Sequence, residues 1–239
     1  MTRQRADLVI VARGLAESRA KAQAAIEAGG VTANGVTVRK ASDLIEADAE
    51  LEVTPPHPWV SRGGVKLAQA LSAFGVDPAN RVCLDVGAST GGFTHVLLSR
   101  GARLIYAVDV GAGQLHQSLR ADARIISLEH TDARTLTRAH IIEPPSLIVC
   151  DVSFIGAAKA LAVPLSLAAE HADLIVLIKP QFEAGPGKGG VLQETDARAA
   201  AATAISALNG VEGFQLIAAI DSPIRGGDGN LELLAHFGR

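Results

Sequence analysis

Residues 84–94 read LDVGASTGGFT, and the fold turns on how this stretch is read. It follows an apolar run (Val82, Cys83, Leu84) and leads into the helical spacing of Phe93, Val96, Leu97 and Leu98. Three glycines among small and hydroxyl residues therefore stand where a strand hands over to a helix. Glycine lets a ligand come close to the backbone, and the first N–H groups of a helix are free to donate to it. The stretch predicts a nucleotide-type pocket.

The glycine spacing narrows the nucleotide. A dinucleotide fold places G-x-G-x-x-G directly after its first strand. Here the order is G-A-S-T-G-G, with Asp85 two residues before Gly87, which is closer to the loop of S-adenosylmethionine-dependent methyltransferases. Asp109 ends the next strand-like run, 22 positions beyond Gly87. A carboxylate there can accept both ribose hydroxyls of a nucleotide cofactor. A generic Rossmann-like fold with a glycine turn is the other reading of these residues.

The 239 residues suit one domain of ordinary size plus a small one. Hydrophobic residues make up 48% and aromatic ones 3%, so the core is expected to be built from Ala, Val, Ile and Leu. No apolar run reaches the roughly 18 residues of a membrane span. The first residues, MTRQRADLVIVARG, flank a short apolar piece with charges and have no small-residue cleavage site. A cytoplasmic protein without membrane contact is expected. Cys83 and Cys150 fall within apolar strand patterns, which suits reduced core thiols. Net charge is -3, yet residues 1–40 hold seven basic and three acidic side chains, a local +4. That is a candidate nucleic-acid footprint.

Residues 1–54 form the first predicted unit. Leu8, Val9, Val11 and Leu15, then Ala22, Ile26 and Ala28, have helical spacing, broken at Gly14 and ended at Gly29 and Gly30. VTANGVTV (31–38) follows as a hairpin, with Asn34-Gly35 between alternating apolar residues. Thr54-Pro55-Pro56-His57-Pro58 is stiff and extended, and residues 55–60 are read as a linker. Beyond it strand and helix alternate, with strands at 81–86, 103–109, 124–129, 146–151, 173–179, 214–220 and 230–237 and helices at 91–99, 113–120, 156–169 and 195–208. This predicts an α/β domain over residues 61–239, its mostly parallel seven-stranded sheet covered on both faces.

In such a sheet ligands bind outside the carboxyl ends of the strands. Asp151 ends the run SLIVCD and Lys179 ends DLIVLIK, so a carboxylate and an amine are expected at one rim beside the glycine loop. Pro180 predicts an extended exit for the chain after Lys179. Lys66, in VSRGGVKL, opens a helix ahead of the glycine strand, and Glu232, in GNLELL, interrupts an apolar late strand. Plainer roles exist for these charges: Lys66 and Glu232 as a surface salt bridge, Asp151 as the cap of the helix after it.

Two sets of motifs carry a family resemblance. ARGLAESRAKAQAAIEAGGVTANGVTV (12–38) resembles the S4 RNA-binding domain, an α+β unit, over most of residues 5–53. The strings VSRGGVKL, LDVGASTGGFT, DVSFI, KPQFE and GNLE, with Lys, Asp, Lys and Glu in that order, resemble the FtsJ-like 2'-O-ribose RNA methyltransferases. Together they make the chain similar to the TlyA family, rRNA cytidine 2'-O-methyltransferases also labelled hemolysins. The resemblance implies a Rossmann-like class I methyltransferase domain, S-adenosylmethionine as cofactor, no metal, ribosomal RNA or ribosomal subunits as partner, and no stable protein partner. It implies Lys66, Asp151, Lys179 and Glu232 as catalytic tetrad, with Lys179 the candidate base. Cofactor contacts would come from Asp85, Gly87, Ala88, Ser89, Gly91, Gly92, Phe93, Thr94 and Asp109, with Asp132 near the adenine. Arg5, Arg13, Arg19, Lys21, Arg39 and Arg62 would face RNA, joined by Lys188 and Arg225.

The chain departs from the family pattern at three places. Glu129-His130-Thr131-Asp132-Ala133-Arg134 stands where the family favours E-R-T-N-x-R, Ala112 replaces a common aromatic, and no basic residue precedes Trp59-Val60. Two other functions stay open. One is an RNA-binding module whose methyltransferase fold does not turn over. The other is a membrane-active lysin, as the older family label suggests, although the sequence lacks a span, a signal or a strongly amphipathic basic helix.

Overall fold

The computed structural model describes residues 3–183 and 191–239, so Lys188 lies outside the described residues. The chain divides into two compact units, Met1–Pro58 and Trp59–Arg239.

The first unit runs β1 (Arg3–Arg5), α1 (Ala6–Ala12), α2 (Arg19–Glu27), β2 (Val31–Ala33), β3 (Val36–Thr37), β4 (Leu44–Glu46) and β5 (Leu51–Val53). Ser18 caps α2, its hydroxyl accepting from the Lys21 N–H at 3.3 Å. Ala6, Ile10, Ala22, Ala25, Ile26 and Val31 form the core between helices and sheet. The Asn-Gly turn is as the sequence predicts: Asn34 and Gly35 both have positive φ, +50° and +75°, and join β2 to β3. β5 pairs with β2 on its other side. The antiparallel pair of β1 with β4 was not predicted, because three residues are too few to display an alternating pattern.

The second unit runs α3 (Gly63–Phe74), β6 (Val82–Val86), α4 (Gly92–Ser99), β7 (Leu104–Val108), α5 (Gln117–Arg120), β8 (Ile125–Leu128), β9 (Leu147–Cys150), α6 (Ala157–Ser166), β10 (Asp173–Ile178), α7 (Pro180–Glu183), α8 (Glu194–Leu208), β11 (Gln215–Asp221) and β12 (Leu233–Gly238). The seven strands lie in the order β11-β12-β10-β9-β6-β7-β8, and β12 alone runs against the rest. Every residue of β6 and β9 is buried, which is why these strands read as continuous apolar runs. Side chains alternate between two cores. Leu84, Val86 and Ile148 pack with Leu161 and Leu165 of α6 on one face, while Cys83, Leu147 and Val149 pack with Leu67, Leu71 and Leu97 of α3 and α4 on the other. Cys83 and Cys150 are buried free thiols, and burial pushes Cys83 up to about 12. No helix among the described residues is long and apolar enough to cross a membrane.

Two elements differ from the sequence expectation. The helix predicted at 113–120 is confined to Gln117–Arg120. The Glu129 carboxylate accepts from the N–H groups of Gln114 (2.8 Å) and Leu115 (3.1 Å), and a loop forms where helical turns were expected. Pro180 does not force an extended exit after Lys179; it opens α7, where its fixed φ and missing N–H suit a first helical position.

Candidate active site

The strand order reverses between β6 and β9, so their carboxyl ends leave a crevice that no crossover covers. Gly87 stands there with φ +84°, and a Cβ on it would lie 2.5 Å from the Asp151 carbonyl oxygen. The glycine loop and the end of β9 thus touch backbone to backbone, and only glycine fits. Asp109, one residue beyond β7, accepts from the N–H of Ser89 at 2.8 Å and of Gly111 at 2.7 Å. Its carboxylate fastens the glycine loop to the loop after β7.

Two cavities open on this crevice. One, of about 470 Å³, is lined by Gly87, Ser89, Asp109, Asp132, Asp151 and Ser153 among others. The second, of about 390 Å³, is lined by Arg62, Lys66, Asp151, Ser153 and Lys179, and by Gly87, Ala88, Ser89, Gly92 and Phe93 of the loop. They share Gly87, Ser89, Asp151 and Ser153, so whatever fills one meets whatever fills the other across those four residues.

Both amines of the predicted tetrad line the second cavity, each on its own carboxylate, and Lys179 reaches the shared residues Asp151 and Ser153. Lys179 Nζ lies 2.6 Å from Asp151 Oδ1, an ion contact without hydrogen-bond alignment, and donates to Ser153 Oγ at 2.9 Å. Lys66, in the first turns of α3, donates to Glu232 Oε2 at 2.5 Å, and both side chains are buried. That pair is therefore not a surface salt bridge. Nor does Asp151 cap α6: the Ala157 N–H at its start is taken by Glu183 Oε1 at 2.8 Å. The antiparallel β12 explains how Glu232 reaches the rim. The register pairs Ile178 with Leu233, so Lys179 and Glu232 follow as neighbours one step beyond the strands. Ser153 was not among the predicted site residues, although it lies inside the DVSFI motif.

The predicted cofactor contacts divide. Asp85 and Thr94 are wholly buried and line neither cavity. Thr94 Oγ1 donates to Asp85 Oδ2 at 2.6 Å, while Asp85 Oδ1 has no hydrogen-bond partner. Burial, reinforced by the charges of Asp151 and Asp109, pushes the Asp85 carboxyl up to about 7 against the Thr94 hydrogen bond. Gly91 also lines neither cavity; its bare Cα seats Leu119 and Leu115. Asp132 borders the first cavity with its carboxylate already clasped by the Arg134 guanidinium, whose hydrogen bonds hold it down at about 2.

In the first unit the predicted RNA-facing cations are partly tied down. Arg5 and Arg19 both reach Asp7, which also accepts from Gln23 at 2.9 Å. Asp7 is wholly buried, and the Arg5 guanidinium holds its carboxyl well below the usual range. Arg13 donates to the Ala49 carbonyl, Lys21 pairs with Glu17, and the Arg39 side chain is exposed. In the second unit Arg62 donates to the Arg225 carbonyl at 2.6 Å. Asp7 was not foreseen, because an acid in the first turn of a helix ordinarily faces water.

Residues 59–239 match the FtsJ-like methyltransferase family, and residues 4–51 match the S4 domain. The chain belongs to the FtsJ-like methyltransferase family. Among relatives of this FtsJ-like chain, the 16S/23S rRNA (cytidine-2'-O)-methyltransferase TlyA of Mycobacterium tuberculosis is 43% identical over 235 residues, covering 96% of this chain and 88% of the relative. Hemolysin A of Brachyspira hyodysenteriae is 42% identical, covering 98% and 99%. A solved structure of a provisionally named hemolysin from Streptococcus thermophilus superposes with a TM-score of 0.76 at 36% identity, covering all of this chain and 89% of its own. The chain is thus a TlyA-type methyltransferase: an S4 domain followed by an FtsJ-like domain.

Proposed function

We propose that the protein transfers a methyl group from S-adenosylmethionine to the ribose 2'-hydroxyl of a cytidine in ribosomal RNA, in the cytoplasm. The observation that carries this reading is the junction of two cavities at Gly87, Ser89, Asp151 and Ser153, with Lys179 on Asp151 at that junction and Lys66, paired with Glu232, lining the second cavity. A transfer between two bound molecules needs such a shared wall. The larger cavity fits a nucleoside cofactor, because Gly87 leaves its backbone bare and Asp109 offers a carboxylate at the strand end. S-adenosylmethionine, when bound, supplies an electrophilic methyl group.

The chain's residues then do the following. The S4 unit holds RNA through Arg5, Arg13, Arg19, Lys21 and Arg39; within the second unit Arg62, which lines the second cavity, is a further RNA contact. A ribose hydroxyl is a weak acid, so its proton must leave as the new bond forms. Lys179 Nζ is the acceptor of that proton, and Asp151 stabilises the ammonium produced. Lys66, fixed by Glu232, polarises the hydroxyl oxygen as negative charge develops on it.

The test is transfer from labelled S-adenosylmethionine to ribosomal RNA, free and within subunits, by wild type and Lys179→Ala. Label that resists alkaline cleavage and disappears in the variant supports the reading. A wild-type protein that binds the cofactor and labels no ribosomal RNA in either state would overturn it.

A further inference from the structure

Asp151 follows β9 and Lys179 follows β10, so their contact depends on two loops from different strands. Those loops are joined at three levels. Lys179 meets Asp151 and Ser153; the Phe182 ring packs on Phe154, centroids 5.2 Å apart; and Glu183 Oε1 accepts from the Ala157 N–H at 2.8 Å.

The third level has a fitted socket. Gly156, the N-cap of α6, has no side chain to satisfy the helix start, and Glu183 supplies the missing acceptor from α7, after the neighbouring strand β10. A Cβ on Gly156 would lie 2.9 Å from Glu183 Oε2. Gly156 itself has φ -65°, a conformation open to any residue, so its bareness is explained by the carboxylate and not by the backbone. Between the anchored ends of the first loop, Phe154 is an exposed residue held at φ +69°. A bulky residue keeps that conformation only where its surroundings impose it.

We propose that Glu183 is a positioning residue for methyl transfer: by capping α6 it clamps the Asp151-to-Gly156 loop so that Asp151 and Ser153 stay on Lys179. The inference rests on the reading of Lys179 and Asp151 given above. Glu183 touches neither the hydroxyl nor the methyl donor.

The test measures kcat and KM for ribosomal RNA, with melting temperatures, for the full chain carrying Glu183→Ala, Glu183→Gln, Gly156→Ala, Glu183→Ala with Gly156→Ala, or Lys179→Ala. Loss of orientation lowers kcat for Glu183→Ala about tenfold or more at unchanged KM. Glu183→Gln keeps an acceptor oxygen for the Ala157 N–H and stays within about twofold of wild type. Gly156→Ala lowers kcat in the wild-type background and adds nothing to Glu183→Ala, as partners in one contact must. A folded Glu183→Ala with wild-type kcat overturns the proposal, and so does a Glu183→Gln that falls as far as Glu183→Ala. If Glu183→Ala does not fold, Gly156→Ala decides: reduced kcat at wild-type melting temperature supports the clamp, and full kcat overturns it. Loss in Lys179→Ala with none in Glu183→Ala sinks the clamp alone; full activity in both sinks the reading of the site.

Discussion

Lys66 and Glu232 stand 166 positions apart in the chain, yet their charged groups meet at 2.5 Å with side chains only 9% and 3% exposed. Removing one partner leaves the other charge buried and uncompensated. Lys66→Ala is expected to destabilise the protein by about 3–5 kcal/mol. Removing both charges is expected to cost less than the single change. Urea denaturation of the two singles and the double measures this, and an additive double variant would contradict it.

Asp85 gives stability a pH dependence of its own. Its folded carboxyl sits at about 7, above the unfolded value of about 4. The folded state therefore carries no penalty below about pH 4 and a growing one up to about pH 7, where it levels off. Asp85→Asn keeps an acceptor for the Thr94 hydroxyl and removes the charge. It should gain on wild type as pH rises through that window, by at most about 4 kcal/mol. Unfolding midpoints of both proteins at pH 5 and pH 8 are the check, and an equal difference at the two pH values would refute it.

Asp109 binds two loops before it binds any ligand. Replacing it by alanine frees the N–H groups of Ser89 and Gly111. Hydrogen bonds to a charged group contribute about 1.5–3 kcal/mol, so Asp109→Ala should weaken S-adenosylmethionine binding about tenfold to a hundredfold. Calorimetric titration reads this directly, and an unchanged Kd would count against the assignment.

Arg19 shares the Asp7 carboxylate with Arg5 and still leaves 56% of its side chain exposed. If Arg19 contacts RNA as proposed, the guanidinium edge left free by Asp7 is what a phosphate would meet. Arg19→Ala should weaken ribosomal RNA binding and lower the salt slope by about 1. Binding isotherms at several salt concentrations test it; an unaltered slope would show that Arg19 serves only Asp7.

Most of the second unit was legible because strands buried on both faces appear as unbroken apolar runs, and a charge at the end of such a run stands out. Asp151 and Lys179 could be placed that way. Glu232 could not be oriented, since an apolar strand reads alike in either direction; only the reversal of β12 explains why a residue before the strand shares a rim with residues after the others. Asp85 is a cofactor contact by the family resemblance, yet it is wholly buried in β6, its Oδ2 accepting from the Thr94 hydroxyl nine positions on. The false helix before Gln117 has a similar origin: Glu129, distant in sequence, takes the N–H groups that periodicity assigned to the helix. For Asp85 and the false helix a side-chain contact overrode a local pattern; for Glu232 it was the direction of a strand.

The reversed β12 also bears on timing. Sequence-distant contacts are slow to form because a long loop must close first. A growing chain completes the glycine loop and its Asp109 anchor long before residue 232 is made. Lys66 waits unpaired through all of that synthesis. The buried Lys66–Glu232 contact can form only once β12 has docked against β10, so that one contact reports on assembly of the entire sheet.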